Sequence, residues 1–120
     1  MKKFIGLLLA ICMCIFCVAC APADMSEAKG KMEEAGYTVT VIGETATELF
    51  AGPAAIGKLT ARKVAEGDYD SIEAILFENS TAAMNYYEEE KNDVKGGKTC
   101  KQEGNWVIIG TDAAIEVFTK

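Results

Sequence analysis

The first twenty residues decide what the rest of the chain is free to become. Lys2 and Lys3 precede a run, Phe4 to Val18, in which every residue is apolar or small, and the first acid is Asp24. A short positive stretch, an apolar core and then small residues is the layout of an export signal, with the lysines held on the cytoplasmic side. Three other readings compete. Phe4 to Cys20 is 17 residues, the short limit for spanning a bilayer, so the run could stay as an anchor. Ala21-Pro22-Ala23 offers the A-x-A site of an ordinary secretory signal. Cys14-x-x-Cys17-x-x-Cys20 has the spacing of an iron–sulfur ligand run, but Asp24 stands where the fourth ligand belongs and every spacer is apolar.

The run ends Cys17-Val18-Ala19-Cys20-Ala21-Pro22. Here it resembles the type II signal of bacterial lipoproteins, whose lipobox sets an aliphatic, a small or branched and a small residue before an invariant cysteine. Val18, Ala19 and Cys20 match the last three places, and Cys17 stands where Leu is usual. The resemblance implies cleavage before Cys20, diacylation of its thiol and scope for acylation of the new amine. Two or more acyl chains exceed the single-chain threshold for stable anchoring. The implied address is the extracytoplasmic face of the cell membrane, with the lipid carried on Cys20. The chain then divides into a signal peptide at 1–19, a lipidated tether at 20–24 and one small domain at 25–120.

Cleavage changes the composition that matters. All 18 acids lie after Cys20, and loss of Lys2 and Lys3 leaves ten of the 12 basic residues, a formal charge of −8. Such a surface argues against nucleic acid, which is bound by displacing counterions with Lys and Arg. It also argues against electrostatic adhesion to anionic lipid, so anchoring falls to the acyl chains. Four of the five cysteines sit in the leader or at its end. Only Cys100 remains, so the domain is expected to depend on packing without an internal disulfide. The absence of histidine removes the commonest general base and the commonest zinc ligand together.

Periodicity gives the element order. Met25, Ala28, Met32 and Ala35 form one apolar stripe, predicting a helix over 24–35 closed by Gly36. Tyr37 to Ile42 alternates and is β-branched, predicting a strand with Tyr37, Val39 and Val41 inward. Thr45-x-x-Glu48 reads as a capping box opening a short helix to Ala51, with Leu49 and Phe50 as its apolar contacts. Strands follow at 58–65 and 71–78 around a turn at 66–70, and Ile72 to Phe77 is so continuously apolar that its strand should be central. Ser80 is expected to cap a helix reaching Val94, with Ala83, Met84, Tyr87 and Val94 inward and Tyr86 exposed. A hairpin of 98–102 with 106–110 and a last helix at 112–119, with Ala114, Ile115 and Phe118 inward, complete the chain. The expectation is an α+β single domain with an antiparallel or mixed sheet of four to five strands. The helices should lie mainly on one face, in the order α-β-β-β-α-β-β-α with a short helical turn after the first strand. The layout, notably Trp106-Val107-Ile108-Ile109-Gly110-Thr111 leading into a terminal helix, is similar to that of small lipoprotein domains of anaerobic bacteria, a resemblance of pattern that carries no activity with it.

The constellations that could carry chemistry each have a plainer reading. Gly97-Lys98-Thr99 mimics the end of a phosphate loop, but Asn92 stands where the first Gly is needed and a strand follows the Thr. Cys100 has Lys98 and Lys101 near it but no histidine to act as base, so it reads as a half-buried strand cysteine. Asp68, Asp70 and Glu73 lack the glycine and glutamate spacing of a calcium loop. Glu88-Glu89-Glu90 fan around a helix instead of converging on a cleft. Tyr86 and Trp106 are the candidate ligand or partner contacts, since an exposed aromatic can floor a binding site. The expected function is a non-enzymatic binding or interaction module held at the membrane by acyl chains on Cys20, contacting an envelope protein or small ligand through the less covered sheet face, with no cofactor or metal. A small envelope hydrolase or thiol-redox protein using carboxylates or Cys100, and a purely structural envelope protein, are the alternatives.

Overall fold

The computed structural model describes residues 21–65, 67–94 and 96–120. The leader and Cys20 therefore lie outside the described residues. The elements are α1 (Met25–Glu34), β1 (Thr38–Ile42), α2 (Glu44–Ala51), β2 (Ala55–Ala65), β3 (Asp68–Phe77), α3 (Ser80–Glu90), β4 (Thr99–Glu103), β5 (Trp106–Gly110) and α4 (Asp112–Thr119). The α+β class and the element order are those expected. Every strand pairing is antiparallel, and the sheet runs β1-β2-β3-β5-β4, with β3 in the middle as its continuous apolar run requires.

The same run forces cover on both faces, and here the structure corrects the expectation that helices lie mainly on one. Register puts Ile72, Ala74 and Leu76 on one face of β3 and Ile75 and Phe77 on the other. On the first face α1 and α4 enclose the main core, in which Ala28, Met32, Leu59, Ile108 and Phe118 are fully buried. On the second, α3 presses Ala83, Tyr86 and Tyr87 onto Ile75, Phe77 and Val107, and Ala51 at the end of α2 joins this smaller cluster. A strand apolar on both sides loses burial on one side unless each face has its own layer.

Local chemistry sets the helix ends. Asp24 caps α1 by accepting from the Glu27 amide at 2.8 Å, and the Glu27 carboxylate in turn accepts from the Ala23 amide at 3.2 Å. At the other end Gly36 has φ +92°, the Tyr37 amide donates to the Met32 carbonyl and the Gly36 amide to that of Glu33. This is a Schellman closure, and it turns Tyr37 into the core beside Met32.

Several boundaries move. Asn79, not Ser80, caps α3, accepting from the Ala82 amide at 2.8 Å. That helix stops at Glu90 instead of Val94, because three glutamates at its C-terminal end oppose the helix dipole and Asn92-Asp93 favours a turn. Its buried stripe is Ala83, Tyr86 and Tyr87, which leaves Met84 42% exposed. In α2 no capping box forms: the helix begins at Glu44 on Gly43, and the rotation buries Thr47, whose hydroxyl donates to the Gly43 carbonyl at 2.7 Å. Leu49 and Phe50, expected inward, are 86% and 48% exposed. Asp68 to Asp70 extend β3 instead of forming the turn.

Candidate binding surface

The segment after Cys20 is docked, not loose. Pro22 is buried, Ala21 packs against the main core, and the Pro22 carbonyl accepts from Trp106 Nε1 at 2.7 Å. Trp106 is itself 2% exposed and meets Phe118 edge-on, with ring centroids 5.0 Å apart. The tether expected at residues 20–24 is, from Ala21 on, part of the domain. Trp106, singled out as a contact residue, is spent on holding that segment. An open groove beside it, about 540 Å³, is lined by Ala21, Leu76, Gly104 and Asn105 among others.

Tyr86 and Tyr87 are both half-buried, so neither is the exposed member of the pair. Tyr86 leans on Phe77 with centroids 5.3 Å apart and lines a shallow groove of about 190 Å³ between α3 and the α2–β2 loop, with Asn85 and Glu89 at its rim. Burial, and then the carboxylates of Glu90 and Glu73, push its phenol up from 10.0 to about 12. The hydroxyl is thus a neutral donor at any physiological pH. The groove is below the size of an ordinary small-molecule pocket.

Cys100 sits on β4 against the α3 cluster, half-buried. Burial, with Glu90 second, pushes its thiol up, which is the reverse of what an activated nucleophile needs. Asp68 and Asp70 point to one face of β3 and Glu73 to the other, so they cannot share an ion. Among the described residues no group of three metal-ligating side chains converges. Thr99 lies in β4, which leaves Gly97 and Lys98 as a loop before a strand.

The surface that sequence reasoning missed is on the second face. α3 covers its β3–β5–β4 side and α2 covers the start of β2. Between them the far halves of β1 and β2 are bare. Alternation and register bring Thr38 and Thr40 of β1 beside Arg62 and Thr60 of β2 as a cross-strand square. The concavity there, about 480 Å³, is lined by Gly36, Thr38, Thr40, Arg62, Lys63 and Val64. Arg62 is the only arginine in the chain. It makes no ion pair or side-chain hydrogen bond to any described residue. Its one sequence signal was that uniqueness; the hydroxyls around it become visible only with the register.

No described helix is long and apolar enough to cross a membrane. Comparison with protein-family models, curated proteins and solved structures gave no match.

Proposed function

We propose that this chain is a lipid-anchored, non-enzymatic binding module, held at the extracytoplasmic face of the cell membrane through Cys20 and similar in plan to small bacterial lipoproteins. The observation that carries the reading is the bond from Trp106 to the Pro22 carbonyl two residues after Cys20. An acylated cysteine followed by a docked segment gives the domain a fixed attitude, whereas a free tether would let it tumble. Trp106 pairs with Leu76, and Leu76 with Gly57, so the docked Pro22 lies at that end of the sheet. Arg62 is five residues further along β2, about 17 Å from that end at the strand rise of roughly 3.3 Å per residue. The bare patch thus stands apart from the docked segment, open to a ligand that approaches the domain.

Metabolic labelling with a fatty-acid analogue tests the anchor. Wild-type chain should carry label and sediment with membranes, and Cys20→Ala should lose both. Label that persists in Cys20→Ala would remove the anchor from the reading.

A further inference from the structure

We infer that the bare patch around Arg62 is a binding site for a tetrahedral oxyanion of the phosphate class. The inference rests on the reading of this chain as a binding module and names the ligand chemistry of its open face. In a domain with formal charge −8 after cleavage, the single arginine stands exposed and unpaired to any described residue. Guanidinium groups present a planar fork of donors that matches phosphate and carboxylate. What surrounds Arg62 selects between these two. Thr38 faces it across β1, Thr60 precedes it by two on the same face of β2, and Thr40 closes the square opposite Thr60. These three hydroxyls, each able to donate one bond, stand around the guanidinium at different positions of the square, which suits an acceptor with oxygens on four corners better than a planar carboxylate.

On its other side Arg62 pairs with Ser71 of β3, which points to the same face. Ser71 is 7% exposed, and its hydroxyl has no hydrogen-bond partner among the described residues. A buried hydroxyl without a partner costs free energy that a ligand oxygen would recover. The neighbouring charges leave room for an anion. Glu73, which stands opposite Thr60 on this face, is paired with Lys58 at 3.1 Å. Asp70 points to the opposite face. Lys63, which also borders the concavity, is held on the other face by the Ala35 carbonyl at 2.9 Å. The anion thus meets an Arg62 unpaired to any described residue, and the carboxylate opposite Thr60 is already countered by Lys58.

The phosphate could be free or part of a lipid headgroup, and one experiment separates the two. The full lipidated chain, isotope-labelled, is placed in micelles of a maltoside detergent, which carries no phosphate, or in the same micelles with added phosphatidylglycerol. Amide and threonine methyl resonances are followed while inorganic phosphate, or acetate at matched ionic strength, is added. Saturable shifts confined to Thr38, Thr40, Thr60, Arg62 and Ser71 on adding phosphate, and weaker with acetate, support a soluble source. The same shifts produced by phosphatidylglycerol without added phosphate support a headgroup source. Arg62→Gln should weaken phosphate binding about tenfold or more, the loss of one charge-assisted contact. Thr40→Val, which keeps the strand's β-branching, should weaken it several-fold. No saturable shift in either arm, or Arg62→Gln binding as well as wild type, overturns the inference. Neither result touches the anchor reading, which the Cys20 labelling judges separately.

Discussion

At the scale of single residues, Trp106 carries two duties. Its ring fills the main core against Phe118, and its indole N–H meets a buried carbonyl 84 residues away in sequence. Trp106→Phe keeps most of the ring and removes the donor, leaving the Pro22 carbonyl buried without its partner. That should cost about 2 kcal/mol, within the usual range for an orphaned buried polar group. For a domain of this size the loss corresponds to a fall in Tm of roughly 8–16 °C. Thermal unfolding checks the magnitude, and amide exchange at Ala23 checks the cause, since that amide reports whether the segment is still docked through Glu27. Unchanged exchange and unchanged Tm would mean the segment is held by something other than this bond. The tryptophan was legible in the sequence as a residue of consequence. Its partner was not, because nothing local to Pro22 announces that its carbonyl will lie beneath an indole.

At the scale of elements, what was legible was whatever a single segment dictates by itself. The last helix and β5 came out as expected because each carries a strong pattern: Ala114, Ile115 and Phe118 on one helical face, and a compact β-branched run in Trp106–Gly110. The centrality of β3 also followed from its own apolar run. The consequence of that run, a helix layer on each face, needed the strand to be seen from both sides. In α2 a start one residue earlier and a glycine cap turned the helix so that Thr47 went in and Leu49 out. The square of Thr38, Thr40, Thr60 and Arg62 depends on which residue of β1 faces which of β2, a fact that no single strand contains. Strand packing also makes a sharp demand at one position. A Cβ added to Gly110 would lie 2.5 Å from the Ser71 carbonyl oxygen and 2.9 Å from the Ile72 Cα. Both are backbone atoms of the central strand and have nowhere to go. Gly110→Ala should therefore destabilise by about 3 kcal/mol, the upper part of the overpacking range. Gly43→Ala meets nothing within 4 Å and serves as the control. Denaturant midpoints compare the two, and a Gly110→Ala midpoint equal to that of the control would mean β5 can shift relative to β3.

At the scale of the whole molecule, the absence of histidine shapes the response to pH. No side chain in the chain has an ordinary pKa between the carboxylates and Cys100. Stability should therefore be nearly flat through the neutral range. On the acid side the exposed Glu116 is held below its ordinary 4.5 by Lys120, so the small support from that pair is present above 4.5 and fades as pH falls below it. On the alkaline side the sign reverses. Burial raises Cys100 above 9.0, raises Tyr37 above 10.0 and raises Tyr86 to about 12. In each case the unfolded chain gives up its proton first, so deprotonation favours unfolding. The loss begins as pH passes 9.0, steepens past 10.0 and levels off near 12, where Tyr86 of the folded state also ionises. Urea midpoints measured across pH should show that plateau and that decline. Cys100→Ser should delay the onset toward 10, and Tyr86→Phe should flatten the steep part while removing the latest tyrosinate step from the absorbance titration. A slope within the neutral plateau, or an alkaline decline untouched by both substitutions, would mean that the second-face cluster around α3 does not hold these groups as tightly as its packing requires.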